Sequence, residues 1–223
     1  FLLVVIFTCN FLFFLLCRGL STMRRGLIKE LKKGLRFKCE LCGRCCRGLN
    51  EGYVFIYGDK ILNIARSLDL DLSDFIRDYC EIIDAEYRIF TKSPIKPTKK
   101  KVYLKSIVLK QSEEDGSCIF LRADKKCKIY ENRPIQCQTW PIWFDVMTNK
   151  NDFKEAKEKC PGFKNSDGNH AHLIEKRKIL ETIRDEILLE QDYIEKMRKN
   201  RNDLKLIYPF LKEVKQDLSK TTS

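Results

Sequence analysis

Along residues 23 to 36 the apolar side chains Leu27, Ile28, Leu31 and Leu35 recur at helical spacing between basic ones. This pattern predicts a short amphipathic helix, weakened by Gly26 and Gly34. Tyr53 to Ile56 has strand composition. Asp59 is placed to cap a helix bearing Ile61, Ile64, Ala65 and Leu68. Asp71 or Ser73 is placed to cap another bearing Phe75, Ile76 and Tyr79, and Cys80 continues that face as a buried apolar side chain. Two prolines and four lysines between Ser93 and Lys101 predict an exposed loop, after which Val102–Leu104 and Ile107–Leu109 read as strands of a hairpin or meander. Gly116 turns the chain, Ile129-Tyr130 opens a short strand or helix, and Arg133-Pro134 breaks it. Further on, Leu173, Leu180, Ile187 and Ile194 recur every seven residues with Ile183 and Met197 between them. The expectation is a long amphipathic helix capped at Asn169, packed on the domain or on a partner helix. A last helical segment from about Asp203 is interrupted at Pro209, and the tail from Ser219 frays. The sum is an α+β chain with a helical C-terminal extension over 169–223.

The front of the chain has another character. Phe1 to Cys17 is apolar apart from Thr8 and Asn10, at the lower limit for spanning a bilayer. Residues 1–22 therefore read either as a membrane anchor or as an upstream translation artefact before a true start at Met23. Arg18, Arg24, Arg25, Lys29, Lys32 and Lys33 follow, which by the positive-inside tendency leaves the rest of the chain in the cytoplasm. No basic region precedes the stretch and no small-residue cleavage site follows it, so it is a poor secretory signal. Both readings give a cytoplasmic domain with reduced thiols, and contact with a membrane only if residues 1–17 are genuine.

A net charge of +12 raises the question of nucleic acid, and residues 23 to 60 carry 10 Lys or Arg against 4 Asp or Glu. The sequence argues against that partner: no aromatic-basic interleaving and no Cys/His finger spacing accompany the charge.

The chemistry is concentrated in cysteine. Four of the 11 cysteines fall within eight residues, Cys39, Cys42, Cys45 and Cys46. A Cys-x2-Cys turn lets two sulfurs converge on one metal, and thiolate suits soft or borderline ions. Cys118, Cys127, Cys137 and Cys160 extend the set to eight candidate ligands across a cysteine-rich, metal-stabilised domain over 23–168. A disulfide framework is the competing reading. It suits adjacent Cys45 and Cys46 poorly, leaves an odd cysteine, and is unnecessary in a chain long enough to bury a core.

The Cys-x2-Cys-Gly-x-Cys-Cys box, the Cys-x-Phe-Leu segment at Cys118, the Cys-x-Ile-Tyr-x-x-Arg-Pro-x-x-Cys box ending at Cys137 and the late Cys160-Pro161-Gly162 together resemble the YkgJ family of cysteine-cluster proteins. The resemblance spans about residues 35 to 165. It implies zinc or iron chelation, with some members labelled iron–sulfur oxidoreductases. The family commonly has Arg after the cysteine where this chain has Gln138, which puts one cationic partner in doubt and leaves Arg133.

Two inorganic centres remain open. Cys-x2-Cys-x2-Cys matches the first three ligands of a bacterial ferredoxin run, but Leu49 stands at the fourth position, and the only cysteine followed by proline is Cys160. Zinc would need four thiolates per closed site, so eight suffice for two. An iron–sulfur cluster or iron is the favoured cofactor and zinc the alternative. In either case the charge of gathered thiolates calls for nearby cations, with Arg44, Arg47 and especially Arg133 placed for it. Trp140, Pro141, Trp143 and Phe144 are placed to wall the centre from water, so Arg133 and Trp140 join the cofactor-binding residues. His170 and His172 are the only histidines and sit away from every cysteine box. The functional expectation is a metal-binding protein with redox capability. The opposing one is a noncatalytic zinc-stabilised module whose C-terminal helix docks an unknown protein partner.

Overall fold

The computed structural model describes residues 26–47, 52–92, 95–164 and 172–214. The apolar stretch over 1–22, Asn169, His170 and the tail from Ser219 lie outside the described residues. Among the described residues no helix is long and apolar enough to cross a membrane.

The protein is α+β, as expected, with two small antiparallel sheets among helices. In the described part of the helix expected over 23–36 stands a 3-10 turn, Lys29–Lys33, ended by Gly34, whose φ of 97° redirects the chain into β1 (Leu35–Phe37). Leu31 and Leu35 are still buried, because the turn and the strand present the same side to the core. Helices α1 (Asp59–Ser67) and α2 (Leu72–Tyr79) form where the apolar spacing placed them, burying Ile61, Ile64, Ala65, Phe75 and Ile76. Cys80 is buried as expected, but it opens a strand and does not continue the helix.

That strand is the largest departure from the sequence pattern. Strand β2 (Cys80–Lys92) pairs with β3 (Ile95–Leu109) as one long ribbon, from Cys80 opposite Leu109 to Lys92 opposite Ile95, with an irregularity between Arg88 and Phe90. The segment expected as a loop up to Lys101 is therefore largely strand. Its lysines extend because backbone pairing with β2 overrides their weak strand preference. Val54–Ile56 runs beside β3, the Ile56 N–H donating to Ile107 (3.1 Å) and the Leu109 N–H to Val54 (2.9 Å).

Short helices α3 (Ile135–Thr139), α4 (Phe144–Thr148), α5 (Lys150–Lys159) and α6 (Pro161–Lys164) follow. Strand β4 (His172–Ile174) pairs with β1 and takes Leu173 out of the expected helix. Helix α7 (Lys176–Lys199) is thus later in starting but spans 24 residues, about 36 Å. Asp203 accepts from the Lys205 N–H (2.8 Å) to cap the single turn α8 (Leu204–Ile207), and Pro209 opens a 3-10 turn.

Two hydrophobic cores result. One gathers α1, α2, Phe120, Ile129, the Ala85–Tyr87 and Leu104–Leu109 parts of the ribbon, and Tyr193, Ile194 and Met197 of α7. The other gathers Leu31, Leu35, Ile142, Met147, Cys160 and Phe163 with the ribbon tip, Phe90 and Ile95, and with Ile179, Leu180, Ile183 and Ile187 of α7. The ribbon and α7 therefore run through both, and the expected apolar stripe of α7 packs on the domain itself. Hydroxyls of the first core are paired: that of Tyr87 lies 2.6 Å from that of fully buried Ser106, and that of Tyr193 donates to the Lys105 carbonyl.

Helix α7 also sets two carboxyls against the domain. Burial, and then the charge of Glu190, push Glu186 up from an ordinary 4.5 to about 7, although the Thr139 hydroxyl donates to it at 3.4 Å. Burial likewise pushes Glu190 up to about 7, against the attraction of Arg88. The folded state therefore holds these protons to higher pH than an unfolded chain does. Their contribution is most favourable below the unfolded value and is lost as pH rises through about 7. Glu186→Gln and Glu190→Gln will remove this decline: urea midpoints should rise above wild type near about pH 8 and match it near about pH 4.

Candidate metal centre

The first cysteine box leaves β1 and curls through Leu41 (φ 51°) and Gly43 (φ 69°) into a 3-10 turn, Arg44–Arg47, that carries Cys45 and Cys46. Two close approaches hold it. A Cβ on Gly43 would lie 2.5 Å from the Lys125 carbonyl oxygen, so only glycine lets the box seat on the 118–127 turn. On the other side a Cβ on Gly162 would lie 2.6 Å from the Lys38 oxygen, and the Lys38 N–H donates to the Gly162 carbonyl (3.3 Å). The Arg44 guanidinium donates to the Lys159 carbonyl at 3.2 Å.

The downstream cysteines arrive on separate elements. The Cys118 N–H donates to the Cys46 carbonyl at 2.7 Å, and Leu121 pairs with Cys127 across a tight turn closed by Arg122 and Lys126. Pro134 ends the preceding turn so that α3 brings in Cys137. Gln136 fixes that helix: its side chain accepts from the Phe55 N–H (3.1 Å) and donates to the Tyr53 carbonyl (3.3 Å), while its own carbonyl accepts from the Trp143 indole (2.9 Å). Nothing in the sequence around Gln136 marks this glutamine as a clamp. Cys160 ends α5 and is buried in the second core.

Cys45, Cys46 and Cys118 line one cavity of about 30 Å³, together with Val54 and Leu109. Cys46 lies near enough to Cys45 and Cys127 to act on the protons of both. Its thiol lowers Cys45 and Cys127 to about 7, with the Arg133 charge acting in the same direction on both. Cys46 is correspondingly raised by Cys127 and Cys45. Burial pushes Cys118 up to about 11 and Cys137 up to about 12, each also raised by the neighbouring cysteines. Cys160 is raised by burial too, and feels Cys42 and Cys45. Cys39 is exposed.

The nine described cysteines are all free, so the disulfide reading has no counterpart here. Arg133 donates from Nε to the Tyr130 carbonyl (2.9 Å) and lies 3.8 Å over the Tyr130 ring, and its charge acts on Cys45, Cys127 and Cys137. Arg44 is committed to Lys159, and Arg47 lies near Asp115. The Gln138 side chain, where an arginine was expected by resemblance, donates to the Arg133 carbonyl at 2.6 Å and so supports the cation it does not replace. Trp140 and Trp143 pack edge to face, centroids 4.7 Å apart, against the second core. His172 sits exposed in β4 opposite Phe37.

Among the described residues no three His, Cys, Asp or Glu side chains are already set as a ligand shell. The donor set nonetheless fits a thiophilic metal. Cys45, Cys46, Cys118, Cys127 and Cys137 are close enough to feel one another's charge, with Arg133 supplying a cation beside them. An inorganic centre would offset the repulsion among these sulfurs once they are thiolates.

Residues 38–161, more than half of the 223, match the family profile "CxxCxxCC: Putative zinc- or iron-chelating domain". The chain is similar to an uncharacterized protein of Methanocaldococcus jannaschii, 24% identical over 140 residues, which are 59% of this chain and 63% of that protein. The chain thus spans less than two thirds of the length of that relative. No solved structure matches it.

Two outcomes follow from this geometry. Gly43→Ala meets a backbone oxygen and takes an unfavourable φ, so it should destabilise by about 1–3 kcal/mol in a urea melt and release metal more readily. Burial keeps Cys118 and Cys137 protonated, and as ligands they would have to lose those protons, so metal affinity should fall about tenfold per pH unit for each proton released as pH is lowered. Calorimetric titration with zinc ion in buffers of different ionisation enthalpy measures that proton release.

Proposed function

The chain belongs to the CxxCxxCC family of zinc- or iron-chelating domains, and on that premise we propose that it holds an iron–sulfur cluster or iron through cysteine thiolates and serves redox chemistry there. The observation that carries this reading is the convergence of thiols from separate segments: Cys45 and Cys46 from the first box meet Cys118, Cys127 and Cys137 beside the Arg133 cation. An iron–sulfur cluster, like a tetrahedral zinc, takes four thiolates, and these five sulfurs suffice for one such centre without a histidine. Cys39, Cys42 and Cys160 extend the donor set toward the second core.

When bound, a cluster of this kind supplies an electron-transfer centre whose potential depends on surrounding charge, hydrogen bonds to sulfur and access of water. This chain's residues would act on each of these. Arg133 offsets negative charge, the backbone N–H of Ile129 favours the Cys127 thiolate, and Trp140 and Trp143 keep solvent from one side.

Anaerobically purified full-length protein should show broad visible absorption and contain iron and acid-labile sulfide. Cys46→Ser, which removes the sulfur that acts on both Cys45 and Cys127, should lower the metal content several-fold. Cys80→Ser, altering a buried thiol in the first core away from the box, should leave it unchanged. Colourless protein with stoichiometric zinc would instead establish the zinc-stabilised module, and protein free of metal under both aerobic and anaerobic purification would sink both readings.

A further inference from the structure

Of the two tryptophans, Trp143 donates its indole N–H to the Gln136 carbonyl at 2.9 Å. Trp140 does not have such a bond. Its Nε1 is buried without a hydrogen-bond partner, and it is the one side-chain nitrogen or oxygen in that condition among the described residues. Buried indole donors usually find an acceptor, so an unpaired one asks what is meant to stand opposite.

Trp140 packs against the second core, of which Cys160 is a buried member, and its N–H approaches the Cys160 sulfur without bonding to it, as does the Gly162 N–H. A neutral thiol is a weak acceptor, whereas a metal-held thiolate accepts strongly and has lone pairs to offer. The indole cannot easily turn elsewhere: its ring is set edge to face on Trp143 at an interplanar angle of 75° and packed against the second core. Cys160 is itself 7% exposed and close enough to Cys42 and Cys45 to feel their charge. Both donors are thus fixed before any ligand arrives.

We infer that the Trp140 indole N–H is a hydrogen-bond donor to the Cys160 sulfur in its metal-bound form, which makes Cys160 the ligand supplied from the second core and Trp140 its positioning residue. This rests on the thiolate metal site proposed above and adds to the solvent-excluding role of the tryptophan pair. Donating to a ligand sulfur withdraws charge from it, which disfavours the protonation that releases the metal and raises the energy of sulfur-to-metal charge transfer.

Two arms on the full chain test it. In the first, wild type and Trp140→Phe are loaded with cobalt ion. The variant keeps an aromatic ring against Trp143 but has no N–H, so its sulfur-to-cobalt band should move to lower energy and its affinity in chelator competition should fall about 10- to 100-fold. In the second arm Trp143→Phe leaves Trp140 as the sole fluorophore, and zinc ion should shift its emission. The added change Cys160→Ala should abolish that response, and this arm retains the native indole if Trp140→Phe folds poorly. Wild type that binds cobalt while Trp140→Phe shows the same band and affinity overturns the inference and leaves the metal site standing, as does a Trp140 emission indifferent to zinc. Wild type that takes up neither ion overturns both.

Discussion

The rest of the structure depends on how the first cysteine box is wedged between two surfaces. Gly43 lies against the Lys125 carbonyl on one side and Lys38 against Gly162 on the other, at separations no side chain larger than hydrogen could occupy. These contacts seat the first box against the segments that carry Cys118, Cys127 and Cys160. The two surfaces belong to different cores: Cys118 and Cys127 pack against the first, and Cys160 lies within the second. Placing the thiols at this junction means that neither core closes around them completely, and the cavity beside Cys45, Cys46 and Cys118 is what remains.

Electrostatics makes that junction a poor resting place for bare thiolates. Burial raises Cys118, Cys137 and Cys160, while Cys46 and the Arg133 charge keep Cys45 and Cys127 low. Arg133 is the cation these sulfurs share, held by Tyr130 from below and by Gln138 through its backbone. A surface ion pair would contribute little, but a guanidinium half-buried beside several sulfurs acts where water screens less. The same arrangement explains how the chain dispenses with an arginine at position 138. The glutamine there supports the backbone of the arginine five residues earlier.

Much of the fold was legible where periodicity is local. The apolar spacing of Ile61, Ile64 and Ala65, and of Phe75 and Ile76, placed two helices, and the heptad recurrence of Leu180, Ile187 and Ile194 placed α7. What failed to show was decided by distant partners. Lysines around residue 100 read as loop because their strand exists only through pairing with Glu86, Tyr87 and Arg88, and Leu173 left the helical pattern because β1 offered it a backbone. The cysteine boxes stood out from composition and spacing. Their spatial grouping did not, since Gln136 and Gly162 work through single long-range contacts that leave no periodic trace.

The span between the anchoring contacts also has a consequence for how the molecule is made. Arg44 and the carbonyl it grips at Lys159 are 115 positions apart. At about 5–20 residues per second, a ribosome takes roughly 6 to 23 seconds to deliver the far side after the near one. Through that interval the nascent first box has its four sulfurs exposed with no scaffold to shield them, so safe assembly rests on reducing surroundings or on early capture of the emerging loop.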